Sequence, residues 1–445
     1  MPKIVIIGGG SYSWGPTFMR DILGTPELVG STIVLQDIAQ DRVDLVYALG
    51  KKMLDDFKLD FHLEKTLSLD EALQGADFVI LTITTGRLES MRHDLEIPAK
   101  YGIKQSVGDT TGPGGLFRAL RNIPVIVEIG RKVMEICPQA LFLNYTNPMT
   151  VLTRVLAMQG VRVVGLCHEW IGVREHLAQV FETKPENITA KIAGVNHLIW
   201  VTDMYADGKR VFDELPAITE QVLNGKIKVD EDDMSVFADH AKVKSTLFQL
   251  YGALPAAGDR HIAEFFQHFI NESTNWGRDY DLILTSIADR YTMEAEAKDL
   301  IESALCGEVP LEPFMQDVSS EAANKIIRAV TCGEKYVGIV NLPNVGQVAN
   351  LPTDAVVETY GVIDSLGANA ITFGDVPAGV QNILEHHVHQ QELTVTAAMQ
   401  GNREIALQVL LNDPLSSYLT VSQAKQLLAE LLEANRNYLP MFFKS

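Results

Sequence analysis

The chain has 445 residues, 47% of them hydrophobic, with a formal net charge of −20. That length supports a large core in two lobes, and the acidic balance argues against nucleic acid, whose phosphates demand clustered Lys and Arg. Four scattered cysteines (Cys137, Cys167, Cys306 and Cys332) argue against a disulfide framework and for a reducing compartment.

Met1-Pro2-Lys3 runs straight into strand-like sequence, so no signal peptide is expected and the cytoplasm is the expected location. No apolar run reaches the length of a membrane span. A strand over 3–8 ends in the turn Gly8-Gly9-Gly10-Ser11, before a helix over 15–24. A second strand, 32–36, ends at Asp37 and precedes a helix over 40–57. Strand, glycine turn, helix and acidic strand end together form a dinucleotide-binding start. Glycine lets the backbone approach a pyrophosphate seated on the helix N-terminus, and Asp37 would accept both ribose hydroxyls, favouring NAD over NADP. Ser13 stands where a third glycine is usual, with Gly15-Pro16 just beyond. A glycine turn without nucleotide is the competing structural reading.

Strands over 77–83, 140–144 and 161–166 alternate with helices over 114–135 and 149–159. Their near-continuous apolar character fits strands buried on both faces, and the alternation predicts a doubly wound, mostly parallel, Rossmann-like α/β sheet. Beyond about residue 170 the pattern changes. A strand near 187–194, a polar helical middle, strands near 335–342 and 355–361 and long helices from 377 onward predict an α+β second region. The expected division is 1–170 for the nucleotide and 171–445 for catalysis, substrate and oligomer contacts.

Polar segments follow the strand ends, where ligands of open parallel sheets bind. These include Arg92-His93-Asp94, the loop Gly108-Asp109-Thr110-Thr111-Gly112-Pro113-Gly114-Gly115, Asn144-Tyr145-Thr146-Asn147-Pro148 and Cys167-His168-Glu169-Trp170. Cys167 and His197, the latter in Gly194-Val195-Asn196-His197, suit a divalent transition metal with open positions. Each alone equally fits a buried thiol or a strand-end histidine. His386 and His389, three apart on a late helix, are better read as a solvated face.

At these residues the chain resembles family 4 of the glycoside hydrolases. The resemblance runs over essentially the whole chain. It rests on Gly8-Gly9-Gly10-Ser11, Asp94-Leu95-Glu96-Ile97-Pro98 with Lys100-Tyr101-Gly102, Gly112-Pro113-Gly114-Gly115, Asn144-Tyr145-Thr146-Asn147-Pro148, the Cys167 tetrad and Gly194-Val195-Asn196-His197. It implies NAD and a divalent metal, usually Mn2+, as cofactors, with Cys167 and His197 as metal ligands. It also implies sugar contacts from Arg92 and Asn147, extended here to Glu169 and Asn196. The implied reaction removes the C3 hydrogen as hydride, which acidifies the C2–H. Loss of that proton expels the glycosidic oxygen, water adds, and the hydride returns, so the net reaction is hydrolysis. Asp259, in Gly258-Asp259-Arg260-His261, resembles the base of the α-glycosidase branch, with a helix N-cap as its structural alternative. His168 is a candidate polar contact or acid. The Cys-His-Glu start is similar to α-galacturonidases and unlike phospho-specific members, while Trp170 departs from the aliphatic residue usual there. A uronide carboxylate would need a cation, the candidates being Arg92, Arg118, Arg260 and Arg278. The implied partners are a glycoside and further copies of the chain, as a dimer or tetramer. A plain NAD-dependent 2-hydroxy-acid dehydrogenase and a non-catalytic NAD or sugar sensor are the alternatives.

Overall fold

A computed structural model describes residues 1–230, 233, 235–316 and 319–443. The first part alternates β1 (Lys3–Ile7), α1 (Trp14–Leu23), β2 (Thr32–Gln36), α2 (Gln40–Phe57), β3 (His62–Thr66), α3 (Leu69–Leu73) and β4 (Phe78–Leu81). It continues through α4 (Arg87–Ala99), α5 (Gly112–Ile136), β5 (Leu141–Asn144), α6 (Met149–Met158), β6 (Val163–Gly165) and α7 (Glu169–Val180). The second part opens with β7 (Ile188–Val195), β8 (Leu198–Ala206), β9 (Lys209–Arg210), α8 (Leu215–Leu223), α9 (Lys242–Tyr251), β10 (Leu254–Pro255) and α10 (Asp259–Ile262). There follow α11 (Ile287–Cys306), α12 (Ala323–Cys332), β11 (Tyr336–Pro343), β12 (Val356–Asp364), β13 (Gly367–Ala370), α13 (Ala378–Gln400), α14 (Arg403–Asn412) and α15 (Val421–Ala434).

Strands β3-β2-β1-β4-β5-β6 lie side by side and parallel, the order of a dinucleotide-binding sheet with its switch point between β1 and β4. The sheet then continues through β11, β12, β7, β8 and β10, all antiparallel. One residue pair, Asn341 opposite Gly165, joins the two halves. The N-terminal part is thus Rossmann-like and the C-terminal part mixed.

Alternation along each strand sorts the core into layers. Val5, Ile7, Val79 and Leu81 pack against α5 and the late helices α13, α14 and α15. Ile4, Ile6, Ile33, Leu35 and Ile80 pack against α1, α2, α11 and α12. In the mixed half, Val195, Leu198 and Trp200 meet α9 and α13, while Ile192, Ile199 and Val201 meet α7. Among the described residues, no helix is long and apolar enough to cross a membrane.

Several elements go beyond the sequence expectation, β3, α4 and β8 among them. β3 is a largely exposed edge strand, HLEKT, with no apolar alternation to announce it. α4 is weakly amphipathic and turns Ser90 and Asp94 inward. β8 follows β7 after a two-residue turn, Asn196-His197, so the pair forms a hairpin where one strand was expected.

Candidate active site

Gly8 takes φ +89°, and a Cβ there would lie 2.0 Å from the Thr82 carbonyl oxygen. Only glycine fits. The amides of Gly8 and Gly9 donate to the Gln36 carbonyl, and Gly10 N–H donates to Asp37 Oδ2 at 2.9 Å. Ser11 Oγ accepts from Trp14 N–H at 3.2 Å and so tethers the start of α1. Gly15 fills the place of the absent third glycine, because a Cβ there would sit 2.6 Å from the Gly9 carbonyl oxygen. The predicted loop residues Gly8, Gly9, Gly10, Ser11 and Asp37 are therefore one unit.

A second group forms where loops from both halves meet. Ligand atoms of Asp109, His197 and His261 lie within 4.8 Å of one another. His197 sits in the β7–β8 turn at φ +66°, a left-handed conformation that is costly for a side chain of this size. Thr110 Oγ1 lies 2.8 Å from His197 Nδ1 and donates to Asp109 Oδ1 at 2.7 Å. The His197 and His261 rings are 3.9 Å apart, centroid to centroid. Asn147 Nδ2 donates to Asp109 Oδ2 at 3.1 Å, and its own Oδ1 is buried without a partner. Burial holds His197 down at about 3 and also lowers His261, so both imidazoles are neutral at physiological pH. Burial opposes the Asp109 charge, but Arg118 and, once protonated in acid, the two histidines hold its carboxyl well below the usual range. One carboxylate and two neutral imidazoles are hard and borderline donors that suit a divalent cation.

Cys167 stands outside that triad but beside it. Asn196, the neighbour of His197, is close enough to its thiol to pull the thiol's pKa down. The side chain keeps some open surface, yet desolvation leads in pushing its pKa up, helped by Glu358 and Glu169. Asn196 Nδ2 also donates to Glu358 Oε2 at 3.0 Å. Glu169 bridges the tetrad to the Gly258–His261 segment: its Oε2 accepts from Gly258 N–H at 2.5 Å and its Oε1 is 3.6 Å from His261 Nε2. Against its burial, His261, His197 and His168, which are protonated in the acid range where Glu169 itself titrates, bring Glu169 down to about 2. His168 is exposed, and its 2.9 Å contact with Glu321 is the main cause raising it to about 9. Trp170 turns away into the core of the mixed half with Val173 and Leu177.

Asp259 is buried. It accepts from the amides of Val243 (2.7 Å) and Lys244 (3.0 Å) and pairs with Lys244 Nζ at 2.9 Å. It thus caps α9, not its own short helix. Burial pushes its carboxyl up while Lys244 pulls it back. Arg92 pairs with Glu89 and Glu96 of its own helix, and no hydrogen bond or ion pair among the described residues links it to the Asp109 loop. Asp109, His261, Glu264, Arg290 and Glu358 complete the neighbourhood without having been singled out as site residues. Asp109 and His261 did lie in segments already marked as unusual; the other three carry no local signal.

The chain matches the family model "Family 4 glycosyl hydrolase" over residues 3–183 and the "Family 4 glycosyl hydrolase C-terminal domain" over 192–416. It is 34% identical to an α-galacturonidase of Bacillus subtilis over 97% of each chain. Two solved structures superpose on it closely. One, the Bacillus subtilis lplD protein, gives a TM-score of 0.89 at 32% identity, covering 97% of this chain and 100% of that one. The other, a Thermotoga maritima 6-phospho-β-glucosidase holding manganese, NAD+ and glucose-6-phosphate, gives 0.81 at 25% identity over 99% of each chain. The chain belongs to family 4 of the glycoside hydrolases. It is an O-glycosidase of that NAD- and manganese-dependent family.

Proposed function

We propose that this enzyme hydrolyses unphosphorylated α-glycosides of uronic acids, α-galacturonides first among them. The observation that carries the reading is the full-length likeness to an α-galacturonidase together with the Cys-His-Glu start of its own tetrad. Trp170 is no obstacle, because its ring is core and not pocket.

The residues present fit both cofactors. The Gly8–Ser11 turn and Asp37 would hold NAD. Cys167 and His197 would hold a divalent metal, with Asp109 and His261 close enough to join or orient them. When bound, the pair supplies transient hydride removal and charge stabilisation beside the resulting carbonyl. The chain's own residues do the rest. Asp259 takes the C2 proton, its buried carboxylate retaining a lone pair on Oδ2, which accepts only from Val243 N–H among the described residues, and gaining basicity from desolvation. His168, kept protonated by its contact with Glu321, is the acid that donates toward the departing oxygen in this reading. Asn147, Asn196 and Glu169 hold hydroxyls, and Arg92 is the outermost sugar contact. Residues 1–170 serve the nucleotide and 171–445 the sugar and subunit contacts. The working form is a cytoplasmic dimer or tetramer.

The test is a panel of aryl α-galacturonide, α-galactoside, α-glucoside and 6-phosphoglycoside with NAD+, Mn2+ and a thiol reductant. Fastest aglycone release from the galacturonide is expected. Faster release from a neutral or phosphorylated sugar would sink the uronide reading and leave the family chemistry standing.

A further inference from the structure

Several arginines of this chain meet carboxylates. Arg121 holds Asp94 through two bonds of 2.8 and 2.5 Å with both side chains fully buried, and Arg42 and Arg154 pair with Glu294 and Glu392 at 2.8 and 2.9 Å. Arg118, Arg260 and Arg290 differ. Among the described residues, none of the three has a carboxylate within ion-pair distance, and each is partly buried.

They arrive from three elements, α5, α10 and α11, and converge on the loop that carries Asp109. Arg118 Nε donates to the Asn147 carbonyl at 3.1 Å, and the Asn147 side chain donates to Asp109. The Arg260 carbonyl accepts from the Ser106 hydroxyl. Arg290 Nη2 donates to the Val107 carbonyl at 3.0 Å. Their fixed partners are neutral carbonyls and, for Arg118, the Thr84 hydroxyl. The Nε atoms of Arg260 and Arg290 are buried with no hydrogen-bond partner among the described residues. Burial first, then the charges of Arg260 and Arg118, brings Arg290 down to about 10. The nearest acids do not balance the three cations: the charge of Asp109 is shared among all three, Asp94 is paired with Arg121, and burial raises Glu264 to about 7. A surplus of positive charge half out of water, three guanidiniums sharing one carboxylate, is costly unless a ligand completes it.

We propose that Arg118, Arg260 and Arg290 form the pocket that receives the carboxylate of the substrate sugar, with Arg290 making the discriminating contact. This rests on the uronide reading above. Arg290 spends one N–H on the loop and keeps the others free, whereas Arg118 spends two and Arg260 also lies 5.0 Å over the Phe237 ring. A planar guanidinium edge matches a carboxylate with two parallel bonds. The other candidate cations are placed differently: Arg92 is paired on α4, and Arg278 is exposed.

The experiment compares kcat/KM for an aryl α-galacturonide and the matching α-galactoside in the loaded enzyme, Arg290→Gln and Arg290→Lys. NAD affinity and the unfolding midpoint show that the variants are folded. The galacturonide-to-galactoside ratio should fall at least tenfold in Arg290→Gln, through KM, and less in Arg290→Lys. Equal losses on both substrates, or an unchanged ratio, overturn the proposal. If the parent enzyme prefers the galactoside, the uronide reading has failed, and the pocket is then judged by competition. Stronger inhibition by free galacturonate than by galactose, lost in Arg290→Gln, supports it; equal inhibition overturns it. A 6-phosphogalactoside cleaved faster than both would assign the pocket to phosphate and overturn the carboxylate.

Discussion

The parallel half of the sheet and its antiparallel half build chemistry from different materials. In the parallel half the nucleotide turn is mostly backbone: Gly8 and Gly9 tie to the Gln36 carbonyl, Gly10 ties to Asp37, and Gly15 lets α1 close down on the strand. In the antiparallel half the working parts are side chains. His197 projects from a strained hairpin turn, and His261 and Asp259 ride on a four-residue helix. A backbone site is written in consecutive residues. A side-chain site is assembled from loops remote in sequence and depends on burial to keep its imidazoles neutral. The two should therefore fail separately.

The largest separation is expected from His197→Ala, or from chelating the metal. Turnover should drop about a thousandfold or more when the cation's charge stabilisation is lost. NAD binding, followed by fluorescence, should survive, and Mn2+ should restore the chelated parent but not the variant. Loss of NAD affinity in His197→Ala would break the comparison. Asp259→Asn comes next, with turnover down about a hundredfold or more if the carboxylate is the base. Deuterium from heavy water should then no longer enter C2 of the product. A variant that keeps C2 exchange and loses only about 1 kcal/mol of stability would return Asp259 to a capping role.

Gly8→Ala tests the other half. Placing Cβ 2.0 Å from the Thr82 oxygen at φ +89° forces the turn to shift. NAD affinity should weaken about tenfold to a hundredfold, an effect of roughly 1.4–2.8 kcal/mol. Mn2+ binding, read by electron paramagnetic resonance, should persist. The smallest effect sits behind the site, at His387. It is buried against the Phe265 ring and carbonyl, and burial lowers it to about 3. The unfolded chain binds that proton near pH 6.5, so the stability it contributes is complete above that pH and drains away as pH falls toward 3. Urea midpoints of His387→Gln should decline less between pH 8 and pH 5 than those of the parent, by about 2 kcal/mol at most.

What could be read from the chain follows the same division. β2 and α2 fall where periodicity puts them, 32–36 and 40–57, because their apolar positions repeat locally. β3 was illegible because an exposed edge strand has no buried face to pattern. In the candidate site, Cys167 and His197 stood out through position at strand ends. Their neighbours Asp109 and His261 were visible only as members of odd segments, since nothing in their spacing announces that three loops meet. Arg290 carries no signal at all: one arginine in the first turn of a helix becomes unusual only when no carboxylate among the described residues proves to pair with it.

One side of the parallel half is sheltered by α13, α14 and α15, the last helices of the chain. The strands that carry the nucleotide turn are thus made first and covered last. On the ribosome, Val5, Ile7, Val79 and Leu81 must wait for residues near the other end before that side is closed, a long interval in which bare apolar strands invite association with other chains. A growing chain of this design has reason to engage a chaperone early, and shortening the tail should harm yield well before it harms any residue of the active site.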